Sequence, residues 1–280
     1  MSPELEPARI ADLYRAACLA ELDALKIGNV HSYAAGHRME VADFARSAEV
    51  SAPALARADV GIGARVVAGV AATREAVGQN TNLGILLLCA PLAFAAEHGL
   101  TLAQALDGLG PEDARDVFAA IRLASPGGLG QAARYDVTTE TTETPPLLAA
   151  MAEAAPRDRI ARAYVTDYED VKIVGLPALA AARAAGLDES WCASAVHLDY
   201  VSAVPDSHIL RKHGAAIAED VRAEAQRLKA AIDMAAKPVA QLLAVDTVLK
   251  ERGINPGTSA DFTVATLFWQ SLIEAGARLA

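Results

Sequence analysis

Apolar positions recur at intervals of three and four along most of this chain. Ile10, Leu13, Ala17, Leu22 and Leu25 form the first such stripe and predict an amphipathic helix over 7–25. The pattern breaks at Lys26-Ile27-Gly28-Asn29-Val30-His31, where glycine and asparagine stop a helix, and resumes near Glu40. Further helices are predicted over 52–57, 62–77, 83–99, 102–106 and 111–124, then over 147–154, 157–168, 177–185 and 189–204. Pro205-Asp206-Ser207-His208 opens another, followed by 215–235, 238–252 and 263–279, the last preceded by a cap-rich turn at 255–262. Pro111-Glu112-Asp113 makes a good first turn, and Pro91 marks a place where 83–99 can kink. No internal repeat, low-complexity linker or clear domain boundary interrupts the series.

Composition sharpens this picture. The chain is 53% hydrophobic but only 5% aromatic, with alanine and leucine supplying most of the apolar residues, which favours closely packed helices over β-sandwiches. The expected fold is all-α, a single compact multi-helix domain over 1–280, with two closely packed subdomains as the alternative at this length. A formal net charge of -10 argues against nucleic-acid and anionic-membrane partners, and an anionic substrate would need a local basic pocket. Cys18, Cys89 and Cys192 are odd in number, far apart and set among apolar residues, so they read as reduced core thiols of a cytoplasmic protein. The start, MSPELEPARI, lacks the pattern of a signal peptide. Residues 76–96 carry no charge, yet their polar first third and Pro91 favour a buried helix over a membrane span. The alanine-rich 215–235 helix suits packing within the subunit or across a homodimer, and the sequence does not choose.

Several polar stretches carry candidate chemistry. Gln79-Asn80-Thr81-Asn82-Leu83-Gly84 heads the most apolar run in the chain, where its side chains either cap the helix or line a site at its end. Lys26, His31 and His37 crowd the first loop, with Glu21 just before it, and a plain surface turn is the simpler reading. Ser125-Pro126-Gly127-Gly128-Leu129-Gly130 lacks the lysine and Ser/Thr of a P-loop, so its glycines serve a turn. Thr138 to Thr144 is the best candidate for a lid, and otherwise a long loop. Arg157, Arg159 and Arg162 alternate with Asp158, Asp167 and Asp170, a pattern that suits either a solvated face or a phosphate and divalent-metal site.

Taken in order, Glu21, Lys26-x-Gly28-x-Val30, Gly36-His37, Phe44-x-x-Ser47, Asn80-Thr81-x-x-Gly84, Asp206 and Pro256-Gly257-x-Ser259-Ala260-Asp261 resemble the triphosphoribosyl-dephospho-CoA synthases. The resemblance spans about 10–275, and the PGTSAD turn is its most specific element. It implies an all-α enzyme that joins ATP to dephospho-CoA with loss of adenine. Two positions depart from that family: Lys26-Ile27-Gly28 stands for its Lys-Pro-Gly, and Asn80-Thr81-Asn82-Leu83-Gly84 for its Asn-Thr-His-Lys-Gly. The ASPGGLG, RYDV and RDRIARAY segments are similar to a divergent branch associated with one-carbon cofactors of the methanopterin and methanofuran kind.

Such a transfer needs cations for phosphate, carboxylates for a metal and a group that activates the nucleophile. Candidate catalytic residues are His37, with His31 as the alternative base, Glu21 and Asp261. Lys26, Gly28, Asn29, His31, Asn80, Thr81, Asn82, Arg159, Arg211 and Ser259 are candidates to meet the phosphorylated substrate, and Asp136 and Asp167, with Glu21 and Asp261 as further carboxylates, to hold Mg2+, the ion that the resemblance and phosphate chemistry together imply. Asp261 is equally well placed to be a helix cap. The first reading is therefore a cofactor-biosynthesis transferase on a phosphorylated small molecule in a methanopterin/methanofuran-type pathway. The alternative is triphosphoribosyl-dephospho-CoA synthesis, and a non-catalytic helical binding protein ranks below both. A helical phosphohydrolase is disfavoured because no histidine is followed by aspartate.

Overall fold

The computed structural model describes residues 4–34, 40–126 and 145–280. Among these, every regular element is helical, and the single β feature is an isolated antiparallel bridge between His31 and Ala34. The chain runs through α1 (Pro7–Asp23), α2 (Val41–Leu55), α3 (Ile62–Val77), α4 (Leu83–Glu97), α5 (Leu102–Asp107) and α6 (Pro111–Ala124). It continues through α7 (Leu147–Ala154), α8 (Arg159–Val165), a π-helical turn (Val171–Gly175) and α9 (Leu176–Ala184). Then follow α10 (Glu189–Ala203), α11 (Ser207–His213), α12 (Ala215–Ala231), a 3-10 turn (Met234–Ala236), α13 (Val239–Glu251) and α14 (Gly257–Glu274). No helix among the described residues is long and apolar enough to cross a membrane. Cys18, Cys89 and Cys192 are buried free thiols.

Several boundaries differ from the sequence expectation: α1, α12 and α14 end two to five residues early, at Asp23, Ala231 and Glu274, and three other differences have a readable cause or consequence. The 52–57 stretch is the end of a continuous α2, with Pro53 inside its last turn, where it forgoes the one bond to the Glu49 carbonyl. The 157–168 helix is shorter: the Asp158 side chain accepts from the N–H groups of Ile160 and Ala161, fixing its start, and Asp167 and Tyr168 adopt φ of 51° and 56° beyond its end. Most significantly, α14 begins at Gly257, so the PGTSAD segment supplies its first turns instead of a preceding loop.

Residues divide into two compact units, each assembled from separate stretches of chain. The first comprises 1–16, 46–168 and 268–280. Its centre is α4, apolar all round and almost wholly buried, with α3, α5, α6 and α8 packed on it. Asp113 joins α3 to α6: one oxygen accepts from Gly63 N at 2.8 Å and the other from Gly110 N at 2.9 Å. The close approach needs glycine, since a Cβ at position 63 would lie 2.5 Å from the Asp113 carbonyl oxygen. In α4, Pro91 has no N–H to give the carbonyl of Leu87. Tyr164 replaces it, donating its hydroxyl to Leu87 O at 2.7 Å, and Tyr168 donates to Leu88 O at 2.8 Å. Burial pushes both phenols up, so they remain protonated donors.

The second unit comprises 17–45 and 169–267. Leu25, Ile27, Trp191, Leu198, Val221, Leu242 and Leu249 belong to its core, where α10 packs on α9 and α12. The π-helical turn ends on Gly175, and a Cβ there would lie 2.1 Å from the Tyr200 hydroxyl and 2.2 Å from that of Thr266. Those hydroxyls bond at 2.7 Å, and Thr266 passes its own proton to Phe262 O.

Removing the Tyr164 hydroxyl should leave the Leu87 carbonyl buried without a donor. Tyr164→Phe is expected to cost about 1–3 kcal/mol. In a Pro91→Ala background, where residue 91 regains its N–H, the cost should shrink. A double-mutant cycle by urea unfolding measures this, and strictly additive losses would sink the explanation.

Candidate active site

The residues expected to do chemistry fall into groups within each unit. In the second unit, α1 ends at Asp23 and the chain turns through 24–34. Glu21 on the last turn of α1 pairs with Lys26, and both are buried, the lysine almost entirely. The Lys26 ammonium also donates to Asn29 Oδ1 at 3.0 Å, and Asn29 Nδ2 donates to Asn255 Oδ1 at 2.8 Å. An acid, a cation and two amides thus form one line of bonded groups. Burial pushes the Glu21 carboxyl up and the Lys26 amine down, while their mutual attraction opposes both shifts. Lys26 also senses the charges of Lys250 and Asp261.

Gly28 makes this loop possible. Its φ of +76° is a left-handed conformation, and a Cβ would stand 2.9 Å from Pro256 Cδ and 3.1 Å from Leu249. Its N–H donates to Asp246 Oδ1 at 2.8 Å. His31 is wholly buried, with Nε2 3.3 Å from Asp246 Oδ2. Its Nδ1 accepts the Ala34 N–H at 3.2 Å, which assigns the ring proton to Nε2. Burial holds this imidazole below its ordinary range, so it is neutral, and its free lone pair is already engaged. His197 on α10, also buried, is driven well below its ordinary range by burial and then by the nearby charges of Lys26 and His31.

A second carboxylate organises the start of α14. Asp206 Oδ1 accepts from His208 N at 2.8 Å and Ile209 N at 3.2 Å, capping α11. Its Oδ2 accepts from Ser259 N at 2.7 Å and Ser259 Oγ at 2.8 Å. Burial pushes this carboxyl up, and the four donors oppose that shift. Asp261 lies past the first turn of α14 and is partly exposed, so it is not an N-cap. Arg211 lies on the last turn of α11, partly buried.

The Asn80–Asn82 stretch belongs to the first unit and is a neutral cluster. Asn80 Oδ1 accepts the Leu83 N–H at 3.1 Å, so Asn80, two residues before the N-cap position, caps the first turn of α4. Asn82 is buried and donates to Ser51 Oγ at 3.2 Å and Thr73 Oγ1 at 3.0 Å. Thr81 and Ser47 share a bond of 2.5 Å, and Tyr14 meets Ser51 at 3.2 Å. Arg159 on α8 and Asp167 just after it lie in the same unit. His37, Asp136 and the Thr138–Thr144 lid candidate lie outside the described residues.

The structure therefore gathers Glu21, Lys26, Gly28, Asn29, His31, Ser259 and Asp261 in one unit, and Asn80, Thr81, Asn82, Arg159 and Asp167 in the other. Sequence reasoning missed Asn255, Asp246 and Lys250. The Asp246/Lys250 spacing of four was a readable signal; the bond from Asn255 to Asn29, 226 positions apart, left none. Among the described residues no three His, Cys, Asp or Glu side chains gather as metal ligands. The described residues thus do not form a protein-only metal cage.

A family model described as ATP:dephospho-CoA triphosphoribosyl transferase, CitG, matches residues 7–279. The chain belongs to the CitG family. As a CitG family member it is a transferase, and the match covers nearly every residue considered above. A crystal structure from Archaeoglobus fulgidus, provisionally described as a triphosphoribosyl-dephospho-CoA synthase, shares its fold at a TM-score of 0.59. That chain is 21% identical, and the alignment covers 83% of this chain and 98% of the other. A search of curated proteins found no match. The family model's description names ATP and dephospho-CoA, and so favours the alternative drawn from the sequence over the one-carbon cofactor reading.

The buried pair generates a stability test. Lys26→Met leaves the Glu21 carboxylate without its counter-charge, which should cost about 3–5 kcal/mol. Without the ammonium, the folded-state pKa of Glu21 rises further above its unfolded value, so the folded variant binds more protons than the unfolded chain. Its deficit against wild type should therefore widen as pH rises from about 5 to about 8. Urea titrations at both pH values measure it, and a pH-independent deficit would contradict the assignment.

Proposed function

We propose that this CitG family chain transfers the triphosphoribosyl group of ATP to a hydroxyl of dephospho-CoA and releases adenine. The observation that carries the reading is the buried Glu21–Lys26 pair, continued through Asn29 and Asn255, inside a chain matched to this family from residue 7 to 279. In the reaction the glycosidic bond between the ATP ribose and adenine breaks, a bond from that ribose carbon to the acceptor oxygen forms, and the hydroxyl proton ends on adenine. The triphosphate stays on the transferred sugar.

Each group has a task suited to its surroundings. Glu21, whose burial raises its affinity for a proton, receives the hydroxyl proton. Lys26 supplies positive charge toward the triphosphate, and Asn29 with Asn255 fixes its direction. Asp261, partly exposed and electrostatically coupled to Lys26, orients the acceptor hydroxyl. Mg2+ enters this proposal as a companion of the triphosphate: the ion keeps most of its waters and takes one or two carboxylates with substrate phosphates, so it needs no protein cage. Use of ATP and the three buried free thiols support a cytoplasmic reaction under this reading.

One observation favours a second reading. At the positions where the family resemblance expects histidine and lysine, Asn82 and Leu83 are buried and uncharged, which suits a different phosphorylated substrate in a one-carbon cofactor pathway.

Chromatography of adenine after mixing the protein with ATP, dephospho-CoA and Mg2+ tests the first reading directly. Adenine should appear only when both substrates are present, and omission of Mg2+ should weaken binding of ATP at least about tenfold. Adenine release that requires an aminomethylfuran or pterin precursor instead would favour the second. Asp261→Asn should lower turnover by about a hundredfold or more, with the melting temperature within a few degrees of wild type. Unfolding by that change would make the carboxylate structural.

A further inference from the structure

We propose that Asp246, with Lys250 one turn later on α13, is the positioning residue that sets Lys26 for the transfer, by pinning the 28–34 stretch of its loop to a single turn of helix. This inference rests on the transferase reading of the Lys26 site.

The geometry that supports it is dense. Asp246 Oδ1 takes the Gly28 N–H at 2.8 Å, and Oδ2 lies 3.3 Å from His31 Nε2 and 3.0 Å from the Lys250 ammonium. Lys250 reaches on to the Ala34 carbonyl at 3.0 Å. Ala34 returns its N–H to His31 Nδ1 at 3.2 Å. Three points of one loop, residues 28, 31 and 34, are thereby tied to two side chains at i and i+4. Leu249, between them in sequence, closes against the Cα face of Gly28. Lys26 and Asn29 flank Gly28, so the direction of the ammonium and of the amide that holds it follows from where Asp246 places that N–H.

The carboxylate is suited to the task because it is ionised under these conditions. Burial would push it up, yet His31 and Lys250 outweigh burial and hold it below its ordinary range. An asparagine offers one acceptor oxygen in place of two, and its NH2 opposes the ring proton of His31 and the Lys250 ammonium. Around Lys26 stand Glu21 from α1, His197 from α10, Lys250 from α13 and Asp261 from α14, with His31 and Asp246 behind the loop. Displacing the ammonium among these groups changes the proton affinity of Glu21, which loses the attraction that opposes its upward shift.

Two readouts test the proposal, and the first does not depend on the reaction. Competitive acetylation with acetic anhydride, located by mass spectrometry, should find Lys26 strongly protected in wild type. In folded Asp246→Asn its labelling should rise about tenfold, as expected when a pinned amine is released by local opening. Unchanged protection would overturn the proposal even if the protein acts on other substrates. The second readout is the pH profile of adenine release. Its Glu21-dependent limb should move upward by about half a unit or more in Asp246→Asn. Asp188→Ala, which removes the cap at the start of α10, supplies a destabilised control that should leave the limb in place. A profile that only loses amplitude, as in that control, would make Asp246 a structural pin and nothing more. Absence of adenine release from wild type would count against the transferase reading alone, and the labelling would still decide the role of Asp246. If Asp246→Asn does not fold, Lys250→Met removes the Ala34 tie, one donor to Asp246 and the contact of 3.3 Å with His31 Nε2 while leaving the Gly28 bond intact, and should raise Lys26 labelling about threefold. No rise in that folded variant would overturn the proposal.

Discussion

Burying a lysine beside a glutamate is the constraint on which much of this structure depends. Each charge loses its water, so each must find partners of fixed direction, and the chain has to deliver them. Glu21 comes from the last turn of α1, and Lys26 from the loop that follows. Asn29 is held in turn by Asn255, just ahead of α14. The backbone between Lys26 and Asn29 has to turn through a left-handed glycine pressed against Pro256 and Leu249. One ion pair thus dictates a helix end, a glycine and an asparagine far away in sequence.

The other unit meets the same requirement partly with an ion pair, wholly buried Arg65 with Glu97, and partly with neutral groups. Pro91 interrupts the bonding of the most apolar helix, and two tyrosine hydroxyls serve carbonyls on that helix. At the head of α4 the polar hexapeptide spends its amides and hydroxyls on Ser47, Ser51 and Thr73. These contacts account for most of the polar side chains there without invoking a ligand. In the second unit the buried charges fall into two neighbouring sets, Glu21 with Lys26 and Asp246 with Lys250, joined through the loop that carries Gly28.

Helices were readable from the sequence because their cause is local. The three-and-four spacing of apolar residues, the glycine after Val77 and the proline at 111 act within a turn or two, and 62–77 and 111–124 agree with the structure at both ends. The start of α14 misled because caps usually precede a helix, whereas Thr258 and Ser259 lie inside it and the Ser259 N–H goes to Asp206. For the candidate site, Glu21, Lys26 and Gly28 were legible through their spacing in a family-like order, and Asn29 only as a polar residue of the same loop. The i,i+4 spacing of Asp246 and Lys250 could be read as an ion pair, but their hold on the 28–34 loop and the tie from Asn255 to Asn29 could not, since those bonds reach residues more than two hundred positions away. Nothing in a local pattern encodes such a pairing.

The four donors around Asp206 have a further consequence. The amino ends of α11 and α14 both turn their free N–H groups to this one carboxylate, so the protein already supplies the anion these helix ends would attract. Ser259 lies at the place where a phosphate cradle would be sought, yet its N–H and hydroxyl are both committed. An incoming phosphate would meet repulsion there instead of a welcome. A charged ligand at these helix ends would have to be met by side-chain cations, whose number and placement can change without disturbing the helices.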